Sequence, residues 1–377
     1  MATKVRKRLK LKEPYLSILR FIGFLLLALV ALFLFYRHEV NGIKKLGYSE
    51  KFSNKILFSF YRKYVNSINY SKTLDKAYSS KYFKEKYMKK YEHIDYVDGK
   101  HFIKNINILL DKKYSYNDIN MIFAHGSDSD VSEFAKRDRV NYLEEYYSYD
   151  FAKIKNYDKY VKYSDESGEG AYSTIVRVNL KLDEENYKNP IVVSKFSTNM
   201  LVNKHYKLSD KFSVPDLVKL DDDLVSENGI KLQKEAYNAF KNMYNDASKS
   251  GYSIYINAGY RSSKDQQELC DLYKRTYGEE YVKKYVALPG FSEHETGLSI
   301  DVASKNSKIF AESKEYRWML DNAYKYGFIL RYTANHMDDT GFRPEAWHYR
   351  YVGKDISAYL HDHNISYEEY YAVFVDK

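Results

Sequence analysis

The chain has 377 residues, which is enough for two or three domains with a sizeable core. Its single cysteine, Cys270, excludes an intramolecular disulfide framework and a four-cysteine zinc site. The formal charge is +9, but residues 1–36 hold seven basic groups and one acidic group, which leaves only +3 for residues 37–377. Because that remainder mixes both signs, we expect no nucleic-acid partner.

An apolar segment follows the basic N-terminus. Residues 21–36 carry no charge, and the apolar residues from Leu16 onward extend the segment to the ~20 residues of a spanning helix if Arg20 reaches the headgroups. No small-x-small cleavage site follows, because the next residues are Arg, His, Glu and Val. We therefore predict an uncleaved signal anchor over residues 15–37, rather than a cleaved signal peptide. The basic residues 1–14 are then a cytoplasmic tail.

The rest of the chain divides into two predicted regions. Residues 38–170 are expected to be a mostly helical extracytoplasmic region. Residues 171–377 mix amphipathic helical segments with short alternating stretches that are typical of strands, which predicts an α+β domain. The alternation of Thr174–Leu182 predicts one such strand.

Two separated segments bring together residue types that bind metals. A catalytic zinc site uses three nitrogen or oxygen ligands and keeps one position open, and His294, Asp301 and His348 can supply such a set. Glu345, three residues before His348, provides a carboxylate that is free to act as a base. Because residues i and i+3 of a strand face opposite ways, the backbone must turn between them, near Pro344.

These residues also carry a family resemblance. The spacing Ser292-x-His294-x6-Asp301, followed by Glu345-x-x-His348, resembles the signature of VanY-type zinc D,D- and L,D-carboxypeptidases, which cut peptidoglycan stem peptides. Further blocks extend the resemblance over about residues 175–355, and among them are residues 258–263, 327–332 and 347–353. Two small residues depart from the usual pattern: Ser299 stands where alanine is usual, and Ala346 where proline is common.

The resemblance implies a Hedgehog/D,D-peptidase-like α+β fold, in which a small mixed or antiparallel sheet is flanked by helices and carries the zinc site. It implies one Zn²⁺ per chain, held by His294, Asp301 and His348. Glu345 would accept a proton from the attacking water and later return it to the leaving amine.

The resemblance also implies residues that bind the substrate. Arg261 would stabilise either the developing oxyanion or the terminal carboxylate of the substrate, since a guanidinium can bind two oxygens. Gln266 and Ser292 would form hydrogen bonds with the end of the peptide. Glu293 and Glu295, which flank the first histidine ligand, are interpreted as solvated or as supporting that ligand, and not as catalytic.

We therefore expect a membrane-anchored zinc carboxypeptidase at a Gram-positive cell surface, which removes the terminal D-alanine from peptidoglycan stem peptides. An L,D-carboxypeptidase that acts on tetrapeptide stems stays open, because the two activities share these motifs. An inactive wall-binding module is the alternative of another class, and the complete ligand set argues against it. The expected partners are the stem peptide and, through the N-terminal helix, the membrane.

Overall fold

The computed structural model describes residues 13–376. Most of the predicted cytoplasmic tail, residues 1–12, therefore lies outside the described residues. The described chain forms two compact units, which meet in the sequence at Leu143 and Glu144. The predicted boundary between residues 170 and 171 falls inside the second unit, and as a functional division it stays a prediction.

The first unit is helical. Its first helix contains the predicted anchor, and this helix is long and apolar enough to cross a membrane, with no buried residue in its most apolar part. Serine side chains cap the starts of later helices by accepting hydrogen bonds from free backbone N–H groups; these serines are Ser49, Ser71, Ser115 and Ser127. The helices are α1 (Glu13–Lys45), α2 (Glu50–Ile56), α3 (Arg62–Val65), α4 (Lys72–Ser79), α5 (Phe102–Asp111), α6 (Tyr116–Ala124) and α7 (Asp128–Phe134).

The second unit combines helices with three small sheets. Its helices are α8 (Leu143–Tyr147), which begins at the boundary, α9 (Tyr157–Ser167), α10 (Ala171–Asn179), α11 (Lys234–Lys249), α12 (Ser263–Tyr277), α13 (Glu279–Tyr285), α14 (Lys314–Asn322), α15 (Met337–Thr340), α16 (Lys354–His363) and α17 (Tyr367–Tyr370). Two sheets contain two strands each: β1 (Ile191–Val193) pairs in parallel with β2 (Tyr206–Leu208), and β3 (Leu217–Lys219) pairs antiparallel with β4 (Lys231–Gln233).

The prediction of a strand over Thr174–Leu182 is wrong, because most of this stretch lies in helix α10. Its buried apolar residues Ile175, Val176 and Val178 follow the i, i+1, i+3 spacing of one helix face. So short a stretch can match both the period of a strand and that of a helix. The helix begins after Gly170, and Lys181 then adopts a left-handed conformation with φ 62°.

The largest sheet has four antiparallel strands in the order β5-β6-β8-β7. These strands are β5 (Ile254–Ala258), β6 (Ser299–Ser304), β7 (Phe328–Leu330) and β8 (His348–Tyr351). Helices α11 and α14 supply side chains to the core on one face of this sheet. The architecture confirms the predicted α+β class, with a small antiparallel sheet flanked by helices.

The alternation of side chains along β6 and β8 separates the core from the opposite face of the sheet. Ile300 and Val302 of β6 and Tyr349 of β8 are buried in the core with Phe240 of α11. Successive side chains of a strand point to opposite faces, so the residues between them, such as Asp301, face the other way. The hydrophobic core therefore determines which side chains of these strands are available for chemistry.

The core makes a quantitative prediction. Phe240 is fully buried, so Phe240→Ala should lower the free energy of unfolding of this unit by about 3–5 kcal/mol, through lost burial and a residual cavity. Urea denaturation of the full chain, followed by tryptophan fluorescence, reports on this unit because both tryptophans of the sequence, Trp318 and Trp347, lie in it. Leu272→Ala, at a position 51% exposed, is the control. An equal loss in both variants would contradict the assigned core.

Candidate active site

Two of the predicted metal ligands face each other on neighbouring strands. Asp301 of β6 pairs directly with His348 of β8. Its carboxylate Oδ1 lies 3.1 Å from Nδ1 of His348. Both side chains project from the sheet face that lies away from the hydrophobic core. The strand register alone therefore brings a carboxylate and an imidazole together.

The third predicted ligand, His294, lies in a short 3₁₀ helix over Glu293–Thr296. Gly297 ends this helix in the left-handed conformation, with φ 68°, which a residue with a side chain adopts only under strain. Nδ1 of His294 lies 2.7 Å from the carbonyl oxygen of Gly259, which makes Nδ1 the protonated nitrogen. Nε2 keeps its lone pair and lies 3.4 Å from Oδ1 of Asp301.

The three donor groups fit a tetrahedral zinc ion. Their donor atoms lie within 4.8 Å of one another. Two ligands that are each about 2.0–2.1 Å from one tetrahedral zinc are separated by about 3.3–3.4 Å. The distances from Oδ1 of Asp301 to the histidine nitrogens, 3.1 Å for His348 and 3.4 Å for His294, are close to that value. Two imidazoles and one carboxylate are also a ligand set that zinc prefers.

Glu345 lies beside these ligands. Its Oε2 is 4.0 Å from Nδ1 of His348, and its side chain is 15% exposed. Burial raises the pKa of Glu345 to about 7, and the neighbouring Asp301 adds to this rise, while His348 opposes it. The backbone N–H of His348 donates to the carbonyl of Glu345 at 3.3 Å, so the chain turns between these two residues, as the sequence analysis expects.

All predicted site residues line one cavity of about 380 Å³. Arg261 donates from Nη1 to Oε1 of Gln266 at 2.7 Å. The amide nitrogen of Gln266 donates to the carbonyl of Ala287 at 2.6 Å, and Gln266 is only 1% exposed. In this arrangement Gln266 holds the guanidinium of Arg261 in place. Ser292 is buried in the wall of the same cavity.

Comparisons with known proteins identify the family of this chain. Residues 229–354 match a family model described as VanY, D-alanyl-D-alanine carboxypeptidase. The bifunctional D-Ala-D-Ala dipeptidase and D-Ala-D-Ala carboxypeptidase VanXYC of Enterococcus gallinarum is 32% identical over 182 residues, which are 46% of this chain and 94% of that protein. The chain belongs to the VanY family.

Two further proteins are similar to this VanY family member. The putative carboxypeptidase YodJ of Bacillus subtilis (strain 168) is 40% identical over 179 residues, which are 45% of this chain and 66% of YodJ. The chain thus spans slightly less than two thirds of that relative. The solved structure of the LdcB LD-carboxypeptidase is 36% identical, with a TM-score of 0.45, and the alignment covers 49% of this chain and 91% of that chain.

Aromatic side chains form one wall of the cavity in this VanY family member. Tyr281 lies between Tyr273 and Tyr285, with ring centroids 5.8 Å and 4.7 Å away. All three rings line the cavity, together with Trp347, which is 44% exposed. Aromatic rings give a cavity a large apolar contact area. The charged groups of the cavity therefore lie beside an apolar wall.

Glu293 is the residue whose role the sequence analysis did not resolve. It is 2% exposed, so it is not solvated. Its Oε2 lies 3.3 Å from Nε2 of His348, and its Oε1 accepts hydrogen bonds from Arg331 at 2.8 Å and Arg350 at 3.2 Å. Burial opposes the charge of Glu293, but the two guanidinium groups hold the pKa of this carboxyl well below its usual range. The carboxylate orients His348 so that Nδ1 faces Asp301.

The two arginines connect this carboxylate to distant segments. Arg331 donates to Glu368 of α17 at 2.5 and 2.9 Å, and Arg350 donates to the carbonyl of Met200 at 2.8 Å. In the sequence, apolar and aromatic residues surround each arginine. Arg350 lies within β8, and Arg331 directly follows β7. A cation at such a position must find a buried partner, and this is the signal in the sequence that could have revealed the network.

A buried lysine supports the loop that carries Glu345. The Lys204 ammonium donates to the backbone carbonyls of Gly341 at 2.5 Å and Lys283 at 3.0 Å. It also lies 4.4 Å from the ring centroid of Phe342. Burial lowers the pKa of Lys204 to about 8. Lys204 thus connects the segment before Glu345 to α13, which carries part of the aromatic wall.

The contacts of Glu293 predict its effect on metal binding. Glu293→Gln should weaken Zn²⁺ binding by about 10–100-fold, because the carboxylate that orients His348 loses its charge. Competition with a chromophoric chelator measures this affinity. Glu295→Gln is the matched control, because Glu295 is also buried but accepts a hydrogen bond from the backbone of Gly290 at 2.7 Å. Equal affinities in the two variants would show that Glu293 does not position the ligand.

Proposed function

We propose that the chain is a zinc carboxypeptidase that removes the terminal D-alanine from peptidoglycan stem peptides. One observation carries the proposal: the donor atoms of His294, Asp301 and His348 converge in a cavity that also contains Glu345 and Arg261. Membership of the VanY family supports the substrate class.

We propose that one zinc ion per chain binds Nε2 of His294, a carboxylate oxygen of Asp301 and Nδ1 of His348. When bound, zinc supplies Lewis acidity, which polarises a carbonyl and makes water nucleophilic near neutral pH. The carbonyl of Gly259 and the carboxylate of Glu293 each engage the other nitrogen of a histidine. These hydrogen bonds keep the ligating lone pairs directed at one point.

Glu345 is the proposed general base and acid. At 4.0 Å from Nδ1 of His348, its Oε2 lies beside the ligand group without belonging to it. Burial favours the protonated form of this carboxyl, which suits a group that accepts a proton and then returns it. Glu345 would take a proton from the attacking water and deliver it to the amine of the departing D-alanine, so that the peptide C–N bond breaks after the new C–O bond forms.

Arg261 is proposed to bind the negative charge of the substrate. The hydrogen bond that it donates to Gln266 fixes the position of its guanidinium, which can bind two oxygens of the terminal carboxylate or the developing oxyanion. Ser292, in the same wall, is proposed to donate a hydrogen bond to the end of the peptide. Gln266 is proposed to contribute to this subsite as well, chiefly by holding Arg261.

The same proposal divides the chain by role. We propose residues 171–377 as the catalytic domain with its lead-in, and residues 38–170 as an extracytoplasmic helical region. Residues 15–37 would anchor the protein in the cell membrane as a single span, with residues 1–14 in the cytoplasm. The length and apolar composition of α1 support this arrangement.

Substrate selectivity is tested by the products that the full chain releases. We expect D-alanine release from a pentapeptide stem that ends in D-Ala-D-Ala. Release from only the tetrapeptide stem would instead establish the L,D-carboxypeptidase alternative. A zinc-loaded chain that releases D-alanine from neither peptide would identify an inactive wall-binding module.

The role of Glu345 makes a separate prediction. Glu345→Gln should lower the rate of D-alanine release by about 10²–10⁴-fold, because the amide cannot accept the proton of water. Its affinity for Zn²⁺ should stay close to that of the parent chain, since Glu345 is not a proposed ligand. Glu295→Gln serves as the control that changes a buried carboxylate near the site. Full activity of Glu345→Gln would refute the proposed mechanism.

A further inference from the structure

The turn after α2 exposes two phenylalanines. Phe60 is 102% exposed and Phe58 is 82% exposed, the highest values for large hydrophobic side chains among the described residues. Both belong to the turn of residues 57–61, which we call the Phe turn. Neighbouring aromatic side chains that are this exposed indicate a surface that contacts something apolar.

The Phe turn is fixed against the end of the apolar part of α1. The ring of Phe58 stacks on that of Tyr36, with centroids 6.1 Å apart and planes 15° apart. The hydroxyl of Tyr36 donates to Asn54 at 2.8 Å. Glu39, about one helical turn further along α1, forms an ion pair with Arg62, directly after the turn. These contacts pack the Phe turn against α1.

The position of Tyr36 along α1 indicates the depth of the Phe turn relative to a bilayer. Residues 16–36 form the apolar stretch of this helix, and at about 1.5 Å per residue they span about 30 Å, the thickness of the hydrocarbon core of a bilayer. Tyr36 therefore lies at one boundary of that core. Because Phe58 stacks on Tyr36, the Phe turn lies at the same level, where aromatic residues are enriched in membrane proteins.

Basic side chains lie at the same level as the turn. Arg62 and Lys63 follow it directly and line the same surface depression as Phe58 and Phe60. On α1, Arg37 comes immediately after Tyr36. Arg62 is paired with Glu39, but the cations of Lys63 and Arg37 beside exposed aromatic side chains suit a bilayer surface, where the rings enter the acyl boundary and the charges meet phosphates.

We propose that the Phe turn inserts into the interfacial region of the outer leaflet, beside α1, as a second membrane contact. A phospholipid bilayer is the occupant that the structure favours over a protein, because the turn continues the exposed apolar surface of α1 at its boundary. The first unit is then held at two points, which restricts its orientation relative to the membrane. This proposal depends on α1 spanning the bilayer and does not depend on catalysis.

The test uses the full chain in vesicles of phosphatidylcholine and phosphatidylglycerol. Phe60→Trp adds one tryptophan to the chain. The emission that this tryptophan adds to that of the parent chain should be blue-shifted relative to tryptophan in water. It should also be quenched when the lipids carry bromine near the headgroup end of their acyl chains. Tyr142→Trp is the control, because Tyr142 is 80% exposed and lies in the same unit. Its added fluorescence should resemble that of tryptophan in water and should not be quenched.

The other outcomes overturn the proposal. If neither variant is quenched and the two emit alike, the Phe turn lies in water, and if both are quenched equally, the turn is not a distinct contact. If the emission of Phe60→Trp is blue-shifted but brominated lipid does not quench it, protein covers the turn. If the chain does not float with the vesicles in a density gradient, α1 does not insert and the proposed second contact fails with it.

Discussion

The site depends on one buried carboxylate. Glu293 is enclosed by protein, where an unpaired charge would cost several kcal/mol. Arg331 and Arg350 compensate this charge, and its other oxygen orients His348. Since Arg331 also pairs with Glu368, the ion pairs join the end of β7, β8 and helix α17 around His348, a proposed metal ligand. The packing of these segments therefore also positions a proposed metal ligand.

The strand register has a similar double role. Asp301 and His348 are direct partners across β6 and β8, while their neighbours Ile300 and Tyr349 fill the core. A slip of one residue would move a carboxylate and an imidazole into the core and expose apolar side chains. The burial of apolar surface thus penalises a one-residue slip, which would separate the proposed ligands. The register brings these two residues together, and Glu293 then orients the imidazole.

The sequence predicted the site residues that lie in short motifs. Residue types and intervals pointed to His294, Asp301, His348 and Glu345, and the structure brings them into one cavity. The support network was less accessible, because its partners are far apart in the chain: Glu293 and Arg350 are separated by 57 positions. Helix α10 was mistaken for a strand, since a short alternating stretch also satisfies the period of a helix.

The contacts of Arg350 indicate which residues the domain around the site needs in order to fold. Its guanidinium is fully buried and donates to the carbonyls of Thr198 and Met200, about thirty residues before the segment that matches the family model. A fragment limited to residues 229–354 would leave this cation short of acceptors in an apolar setting. The smallest unit that keeps these contacts is therefore larger than the segment by which the family is recognised.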